Sequence, residues 1–375
     1  MQLIDLEAQY HVLKTEIDAN IQAVLTSAQY IGGPFVQELE KRLAAFVGRE
    51  YCITCANGTD ALQAAFMALG VGVGDAVFCT DVTMAASVEP AKMLGASIVF
   101  CDIDPRTYNL SPDSLERQVK AVLAEGRFTP KAVVAVDLFG NPCDYDVIVP
   151  ICQKYGLVLI EDAAQGFGSS YHGKRCGSFG QISTTSFFPA KPLGCYGDGG
   201  AVFVDADVLN KLCRSLCVHG KGVGGKYDNV RVGMNSRLDA IQAAVLLSKL
   251  KALDEYELEF RQRAAERYNT AFAGKFSTPH VAEGSISAYA QYVLLAEDSV
   301  QRDKITAHLD ESGISTMVYY PTPQHALPVF RDEPQYDETY TKAQDYCART
   351  FSLPMHPYLN EQDQQKVIDR VLEFA

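Results

Sequence analysis

The chain has 375 residues, 47% of them hydrophobic, and a net charge of −13. A chain of this length can bury a large core and build two domains. The acidic balance and the lack of a basic cluster argue against nucleic acid as a partner, but they leave room for a local pocket that binds a phosphorylated small molecule. We see no signal peptide and no apolar run of membrane-spanning length, so we expect a cytoplasmic protein without a membrane partner.

The eleven cysteines are scattered and odd in number, which is typical of reduced thiols in the cytoplasm. Cys52 and Cys55 form a C-x-x-C pair in a stretch that is predicted to be a strand entering a turn. No second pair follows at zinc spacing, and the seven histidines show no H-x-x-x-H or similar ligand spacing. We therefore interpret the thiols as small buried apolar side chains and expect no metal site.

The N-terminal part of the chain alternates between helical and strand-like segments. The segments predicted to be helical are 34–48, 58–70 and regions near 84–94, 111–125 and 145–155. The short apolar runs predicted to be buried strands are 51–56, 75–80, 96–103, 131–138 and 156–162. This alternation predicts an α/β fold with a largely parallel sheet that helices cover on both faces.

The pattern changes near residue 236, where a long helical stretch with one break begins. A strand-like run at 290–297, a helix near 300–312 and two further helices follow it. These elements are typical of a smaller α+β domain. We therefore expect a large domain at 1–240 and a small C-terminal domain at 241–375.

Ligands bind parallel sheets at the carboxyl ends of the strands, so the residues after each strand are candidates for a site. Asp162 ends a predicted strand, and Gln165 follows three residues later. Lys191 lies in "TTSFFPAKPLGCYGDGG", which is otherwise small, aromatic or rich in glycine. A buried carboxylate or ammonium needs a partner or a chemical role, although a strand-end aspartate is commonly an ion pair and most lysines are exposed.

The turn "NGTDAL" leads into a helix and could offer the N–H groups of Gly58 and Thr59 to a phosphate. Together with Asp162 and Lys191, this turn describes a ligand with a phosphate, a ring nitrogen that stays protonated and an aldehyde. Pyridoxal phosphate (PLP) has these groups. The lysine would form a Schiff base and move protons, and the glycines of "GDGGA" would let the backbone approach the cofactor closely.

The chain resembles the DegT/DnrJ/EryC1/StrS family of sugar aminotransferases over nearly its whole length. The motifs that carry the resemblance, in chain order, are "LIDLEAQY", "QYIGGP", "NGTDAL", "DIDPRTYNL", "EDAAQGFGSSY", "SFFPAKPLGCYGDGGA", "NSRLDAIQAA", "YYPTPQHAL" and "SLPMHPYL". The resemblance implies the fold type I, aspartate aminotransferase-like architecture of PLP enzymes. The large domain at 1–240 would then be the PLP-binding domain.

The resemblance also implies roles for individual residues. Lys191 would be the catalytic Schiff-base lysine, Asp162 would hold the pyridinium nitrogen, and Gln165 would contact the phenolic oxygen of the ring. Ser186 would bind the phosphate together with Gly58 and Thr59.

Two further residues would come from a neighbouring subunit, which implies a homodimer with a shared active site. Asn235, in "NSRLD", would contact the phosphate of the partner's cofactor. Arg237 would face the donor carboxylate or an acidic sugar, although a plain ion pair at the start of a helix explains this arginine equally well.

One departure from the family pattern concerns the residue stacked on the PLP ring. Family members usually have an aromatic residue there, in an F-T-F or F-T-Y triplet, whereas this chain has Val82, Thr83 and Met84. Met84 could still cover the ring through its polarisable thioether, or another residue supplies the stack.

A second departure lies in "VYYPTP", where related enzymes often have histidine at the position of Tyr319. Tyr319, Tyr320 and His325 are candidate substrate contacts, without an individual role for each. His219, in "VHGKG", could reach a partner's site. Each of these residues would otherwise be an ordinary packed or surface side chain.

The motifs around Lys191 and "SLPMHPYL" look most like the branch that acts on UDP-2-acetamido-3-keto-glucuronic acid. The resemblance implies transamination of this nucleotide sugar with L-glutamate as donor, for bacterial surface polysaccharide. The alternatives are an aminotransferase that acts at C4 of a UDP- or dTDP-4-keto sugar, a PLP-dependent dehydratase and a non-catalytic binding protein. Lys191 argues against a dehydratase, since those relatives carry histidine there.

Overall fold

The structure is a computed structural model that describes residues 1–225, 227–336 and 339–375. Its strands, in chain order, are β1 (Tyr51–Cys55), β2 (Asp75–Thr80), β3 (Ser97–Cys101), β4 (Thr129–Val136), β5 (Val158–Asp162), β6 (Ser170–Tyr171), β7 (Lys174–Arg175), β8 (Ile182–Ser186), β9 (Gly200–Val204), β10 (Ser285–Ile286), β11 (Tyr292–Leu295) and β12 (Thr350–Leu353). Its α-helices are α1 (Leu6–Ser27), α2 (Pro34–Val47), α3 (Gly58–Ala68), α4 (Glu89–Met93), α5 (Pro112–Glu125), α6 (Tyr145–Tyr155), α7 (Asp207–Cys217), α8 (Ala240–Ala252), α9 (Leu258–Phe272), α10 (Ser299–Glu311), α11 (Thr341–Arg349) and α12 (Glu361–Leu372).

The central sheet has seven strands in the order β1-β9-β8-β5-β4-β2-β3. Strands β3, β2, β4, β5 and β8 run parallel, so their carboxyl ends meet at one edge of the sheet. Strand β9 is antiparallel to both β8 and β1. The predicted α/β fold with a largely parallel sheet is confirmed.

Side chains of the sheet alternate between two cores, as the pleat of a strand requires. In β2, Val77 and Cys79 join one buried cluster, whereas Ala76 and Phe78 join the cluster on the opposite face. Helix α3 packs against β8 and β9 on the first face, and α5 packs against β3 and β4 on the second. Burial on both faces explains the nearly continuous apolar runs of these strands.

The helix expected near 84–94 is shorter in the structure. Met84 is extended, a 3-10 turn follows at Ala85–Ser87, and α4 covers only Glu89–Met93. The long helical stretch after residue 236 consists of α8 and α9, which a π-helical turn at Leu253–Glu257 joins. This turn corresponds to the single break that the sequence suggested.

The C-terminal elements pack around a core of their own. Strands β11 and β12 pair antiparallel, and their side chains share a buried cluster with residues of α9, α10 and α12. Helix α8, in contrast, packs against α1 and α2. The division into domains at 1–240 and 241–375 stays a prediction.

All eleven cysteines are buried and none forms a disulfide, which agrees with their interpretation as small apolar side chains. Burial raises the pKa of both Cys52 and Cys55, so these thiols are poor nucleophiles and poor metal ligands. Among the helices of the described ranges, none has the length and apolar character needed to cross a bilayer.

Candidate active site

Four of the residues singled out in the sequence lie at the same edge of the sheet. Asp162 is the last residue of β5, and Ser186 is the last residue of the neighbouring strand β8. Lys191 lies in the loop that joins β8 to β9, and Gly58 begins α3 directly after β1. This is the edge where parallel sheets bind their ligands.

Asp162 is 5% exposed, and each of its carboxylate oxygens accepts a hydrogen bond. The Ser87 hydroxyl donates to Oδ2 at 2.8 Å, and the backbone N–H of Ala164 donates to Oδ1 at 3.1 Å. Burial raises the pKa of Asp162, while these two donors and the charge of Lys191 oppose the rise. A carboxylate held in this way can interact with a cationic group on a ligand.

Lys191 is largely buried, and burial lowers the pKa of its amine. The charge of Asp162 opposes this shift, so the two side chains lie near enough to influence each other electrostatically. Within the part of the chain that the structure describes, the amine makes no hydrogen bond. An amine that is disposed to lose its proton is a better nucleophile than an exposed lysine.

The N-terminus of α3 forms a cradle that suits a phosphate. The Asn57 side chain caps the helix by accepting a hydrogen bond from the N–H of Asp60 at 2.7 Å. The N–H groups of Gly58 and Thr59 have no acceptor within the helix, and they lie at its positive end. A Cβ at Gly58 would lie 2.7 Å from the Cβ of Ser186, so the helix and the strand end are in close contact.

The glycines that follow Lys191 also permit a close approach, but the partner that the structure shows is the protein itself. A Cβ at Gly200 would lie 2.4 Å from the carbonyl carbon and oxygen of Asn57. Gly200 therefore lets β9 pair with β1 directly beside the turn that begins α3. From the sequence alone, these glycines were expected to let the backbone approach a cofactor.

Gln165 links two further parts of the site. Its side-chain oxygen accepts a hydrogen bond from the N–H of Phe139 at 2.7 Å, and its amide donates to the hydroxyl of Tyr320 at 3.2 Å. Burial raises the pKa of Tyr320, which keeps the phenol protonated. The structure thus brings Gln165 and Tyr320, which are 155 residues apart, to one place.

Three predicted residues are exposed. Met84, which the sequence suggested as a cover for the ring, lies in the loop after β2 and is 55% exposed. Asn235 and Arg237 are both exposed, and the guanidinium of Arg237 donates a hydrogen bond to the side-chain oxygen of Asn235. Their exposure leaves all three side chains accessible to a ligand or to a second subunit.

The remaining candidates lie on the other side of the site or away from it. Tyr319 is partly buried and packs against the first core next to Tyr320. His325 is paired with Asp81, and its ring does not stand free. His219 has a positive φ of 56°, and its backbone bonds to Met234 and Asn229 tie it into the segment before α8.

Sequence reasoning missed the residues that support Asp162. Ser87 donates to the carboxylate, and its hydroxyl is in turn 2.9 Å from that of Thr83. Both lie in a stretch that reads as a loop and a helix start, without a local signal for a partner 75 residues away. No pattern in the sequence could have revealed them.

A buried acidic cluster lies next to the site. One carboxylate oxygen each of Asp137 and Glu161 and the Sγ atom of Cys176 lie within 4.8 Å of one another. Glu161 already accepts three hydrogen bonds, from the N–H groups of Gly177 and Phe179 and from a serine hydroxyl. Burial and the neighbouring Glu161 raise the pKa of Asp137, so a proton shared between the two carboxyl groups accounts for their contact.

The site as a whole fits PLP. Asp162 offers a carboxylate to a ring nitrogen, Lys191 offers an amine, and Gly58 with Ser186 offers donors to a phosphate. The amine without a hydrogen bond and the unpaired first-turn N–H groups are the features that such a ligand would satisfy. The arrangement can therefore hold a phosphorylated aldehyde beside a nucleophilic lysine.

Comparison with known proteins extends over nearly the whole chain. A curated UDP-2-acetamido-2-deoxy-3-oxo-D-glucuronate aminotransferase from Pseudomonas aeruginosa is 46% identical over 363 residues, which cover 96% of each chain. The crystal structure of a DegT DnrJ EryC1 StrS aminotransferase from Brucella abortus superposes with a TM-score of 0.97 at 45% identity, and covers 100% of this chain and 99% of that one.

A more distant structure was solved with its cofactor. NtdA from Bacillus subtilis, with bound pyridoxamine phosphate (PMP), has a TM-score of 0.87 at 28% identity and covers 99% of this chain and 83% of its own. The model of the DegT/DnrJ/EryC1/StrS aminotransferase family matches residues 11–372. The chain belongs to the DegT/DnrJ/EryC1/StrS aminotransferase family.

Proposed function

We propose that this aminotransferase uses PLP to pass the amino group of L-glutamate to the keto group of a UDP-linked sugar. The observation that carries the proposal is the amine of Lys191, which is largely buried and whose pKa responds to the nearby charge of Asp162. A lysine in this state is suited to attack an aldehyde. The bound PMP of the related NtdA supports the choice of cofactor.

When bound, PLP supplies an aldehyde to which amines add and a ring that withdraws electrons. Asp162 would hold a proton on the ring nitrogen. The hydrogen bonds from Ser87 and from the N–H of Ala164 favour the ionised carboxylate that this role requires. Lys191 would take a proton from the α-carbon of the donor and return it to the cofactor side. The lowered pKa of this amine suits it to act as the base.

The remaining cofactor contacts follow from the cradle. Gly58 and Thr59 would donate their backbone N–H groups to the phosphate, and Ser186 would donate its hydroxyl. Gln165 would contact the phenolic oxygen of the ring, with its amide steadied by Tyr320. Met84 would lie over the open face of the ring, where its exposed thioether is accessible.

We further propose a homodimer in which each subunit completes the other's site. The segment that precedes α8, residues 218–225 and 227–235, carries apolar side chains that point into solvent. Val223 and Val232 are 106% and 86% exposed, and Tyr227 is 84% exposed. Such apolar exposure is typical of an interface, and Asn235 at the end of this segment would reach the partner's phosphate.

The substrate proposal rests on the Pseudomonas relative, which is a UDP-2-acetamido-2-deoxy-3-oxo-D-glucuronate aminotransferase. We propose UDP-2-acetamido-3-keto-glucuronic acid as the acceptor and bacterial surface polysaccharide as the destination of the 3-amino sugar. Arg237 would pair with the sugar carboxylate, because a guanidinium binds carboxylates in a bidentate fork. Tyr319 and Tyr320 would line the sugar side of the site.

The proposed function also implies a domain arrangement and a cellular compartment. A PLP-binding large domain at 1–240 and a small domain at 241–375 would enclose the site between them. Eleven buried thiols without a disulfide favour a reducing compartment, which we propose to be the cytoplasm.

A panel of UDP-linked and dTDP-linked keto sugars tests the substrate. The purified protein is given L-glutamate and each sugar in turn, and the formation of 2-oxoglutarate is followed. We expect the 3-keto-glucuronic acid to react at least about ten times faster than 4-keto sugars, as one good charge-assisted contact allows. A 4-keto sugar as the preferred acceptor would move the reaction to C4 and refute the proposed substrate.

A further inference from the structure

Asp81 directly follows β2 and is completely buried. Both of its carboxylate oxygens bind His325, which is 244 residues away in the chain. The backbone N–H of His325 donates to Oδ1 at 2.8 Å, and the ring atom Nδ1 lies 2.5 Å from Oδ2. A contact between two such distant parts of the chain fixes one segment against the other.

The neighbour of His325 strengthens the same contact. The N–H of Gln324 donates to the carbonyl of Asp81 at 2.8 Å, and its side-chain amide donates to the carbonyl of Thr83 at 2.6 Å. The ring of Tyr340 stacks on His325 with centroids 4.2 Å apart. Four hydrogen bonds therefore clamp residues 81–83 to residues 324–325, and the stacked ring of Tyr340 supports His325 from its other side in the chain.

The clamp connects both sides of the active site. On the β2 side, the Thr83 hydroxyl meets that of Ser87, which donates to Asp162. On the other side, residues 319–325 carry Tyr320, whose hydroxyl accepts a hydrogen bond from Gln165. The segment of residues 319–325 is thus held at one end by Gln165 and at the other by Asp81.

The chemistry of the pair makes the clamp stiff. Burial raises the pKa of Asp81 to about 6, although the hydrogen bonds from His325 oppose the shift. If these donors were lost, no hydrogen bonds would offset the desolvation of the buried carboxylate, and the folded state would be destabilised. The His325 side chain is only 11% exposed and its Nδ1 faces the carboxylate, so this ring is engaged with the protein.

We propose that Asp81 and His325 are positioning residues for the transamination, which hold the 319–325 segment and its two tyrosines against the acceptor sugar. The proposal rests on the proposed function, since it names the sugar side of the same site. It assigns His325 a different role from the direct substrate contact that the sequence suggested. His325 acts through Tyr319 and Tyr320 and need not touch the sugar itself.

Two substitutions of His325 test the proposal. In His325→Asn, the side-chain amide can replace Nδ1 as the donor to Asp81, whereas His325→Leu removes the donor at similar size. We expect His325→Leu to lower kcat/KM for the UDP-keto sugar about 10- to 100-fold, mainly through a higher KM, as misplacement of a positioning segment does. The visible absorbance of bound PLP should stay at the wild-type level, and His325→Asn should recover most of the loss.

Two results would overturn the proposal. If His325→Asn is as impaired as His325→Leu while both bind PLP, the imidazole itself contacts the substrate. If His325→Leu keeps wild-type kcat and KM and only unfolds at a lower urea concentration, the pair is merely structural.

A second readout separates this proposal from the proposed function. Hydrogen exchange of residues 319–325 should be faster in His325→Leu than in the wild type or in His325→Asn, whether or not any sugar reacts. A wild-type protein that binds no PLP would refute the proposed function, while unchanged exchange in His325→Leu would refute the clamp.

Discussion

At the scale of single residues, the site depends on an amine whose pKa is lowered. Lys191 loses solvation on burial, which lowers its pKa, and only the charge of Asp162 opposes this. An unfolded chain would protonate the same lysine at a higher pH. The folded protein therefore gives up stability at this position in order to hold a reactive amine, a common trade at catalytic sites.

This loss of stability predicts that Lys191→Met raises the free energy of unfolding of the cofactor-free protein, by an amount that depends on pH. Because the folded pKa lies below the unfolded value, the lysine destabilises the fold at pH values below the ordinary lysine pKa of about 10.5. We expect the variant to be more stable than the wild type at pH 7, with a difference that shrinks as the pH approaches 10. Urea unfolding at several pH values measures it. Lys41→Met, at an exposed position, is the control and should not reproduce the effect.

A second prediction concerns the contact between Gly58 and Ser186. In Gly58→Ala, the new Cβ would lie 2.7 Å from the Cβ of Ser186 and would push the helix N-terminus from the strand end. We expect PLP to bind about five- to 150-fold more weakly, equivalent to an overpacking cost of about 1–3 kcal/mol. The dissociation constant is read from the cofactor's absorbance in a titration.

Gly72→Ala is the matched control for Gly58→Ala, since its Cβ would meet nothing nearer than the carbonyl of Leu94 at 3.8 Å. This variant should bind PLP like the wild type. Equal affinity of Gly58→Ala and the wild type would show that the phosphate does not bind at the start of α3.

At the scale of elements, the ends of β4 and β5 are locked by the carboxyl groups of Asp137 and Glu161. The Asp137 carboxyl also accepts hydrogen bonds from the N–H of Cys143 at 2.9 Å and from the hydroxyl of Tyr145 at 2.7 Å. Burial raises the pKa of Glu161 too, but its three donors favour the ionised form. Asp137 is therefore the partner that carries the shared proton.

The pair predicts opposite outcomes for two conservative changes. Asp137→Asn should leave the free energy of unfolding at pH 7 unchanged or raised, because an amide can donate to Glu161 where the protonated carboxyl did. Glu161→Gln should lower it by about 1–3 kcal/mol, because an amide nitrogen cannot accept the bonds from Gly177 or Phe179. Urea unfolding at pH 7 compares the two, and similar losses in both would place the proton elsewhere.

The elements were predictable from the sequence where a strand is short, apolar and bounded by polar turns. β2 occupies the predicted residues 75–80, and β3 and β5 start or end within two residues of prediction. The antiparallel direction of β9 was not predictable, because a strand buried on both faces reads alike in either direction. Strand β9 runs antiparallel to both of its neighbours, β1 and β8, and its first residue, Gly200, lies opposite Cys55 of β1.

The site was predictable only in part, for a physical reason. Asp162 and Gly58 stand in motifs whose local pattern indicates a strand end or a helix start, and Lys191 stands in a stretch rich in glycine. The donors that support them are joined by tertiary hydrogen bonds between distant segments, such as Asp81 with His325. Neither the periodicity of the sequence nor its turn residues identify a partner in a distant segment, so only the structure could show these contacts.

At the scale of the whole molecule, the proposed dimer gives a test that no single chain can imitate. Lys191→Ala and Asn235→Ala would each inactivate or impair both sites of their own homodimer. In a mixed dimer, the lysine of one chain and the asparagine of the other would restore one of the two sites. The exposure of Asn235 makes this sharing sterically open.

We expect an equimolar mixture of the two variants, unfolded and refolded together, to recover about a quarter of wild-type activity, since half of the dimers are mixed and each has one intact site. Each variant refolded alone is the control. No recovery in a mixture shown by mass spectrometry to contain mixed dimers would mean that Asn235 serves its own chain.

The measurement that tests the central claim most directly is the visible absorption spectrum of the purified protein with PLP, before and after L-glutamate. We predict a band near roughly 410–430 nm that glutamate moves to roughly 330 nm, as Schiff-base chemistry at a lysine requires. Lys191→Ala should bind PLP without this lysine-dependent band and should not turn over. A wild-type-like band and rate in Lys191→Ala, or a wild-type protein that cannot bind PLP, would contradict the account.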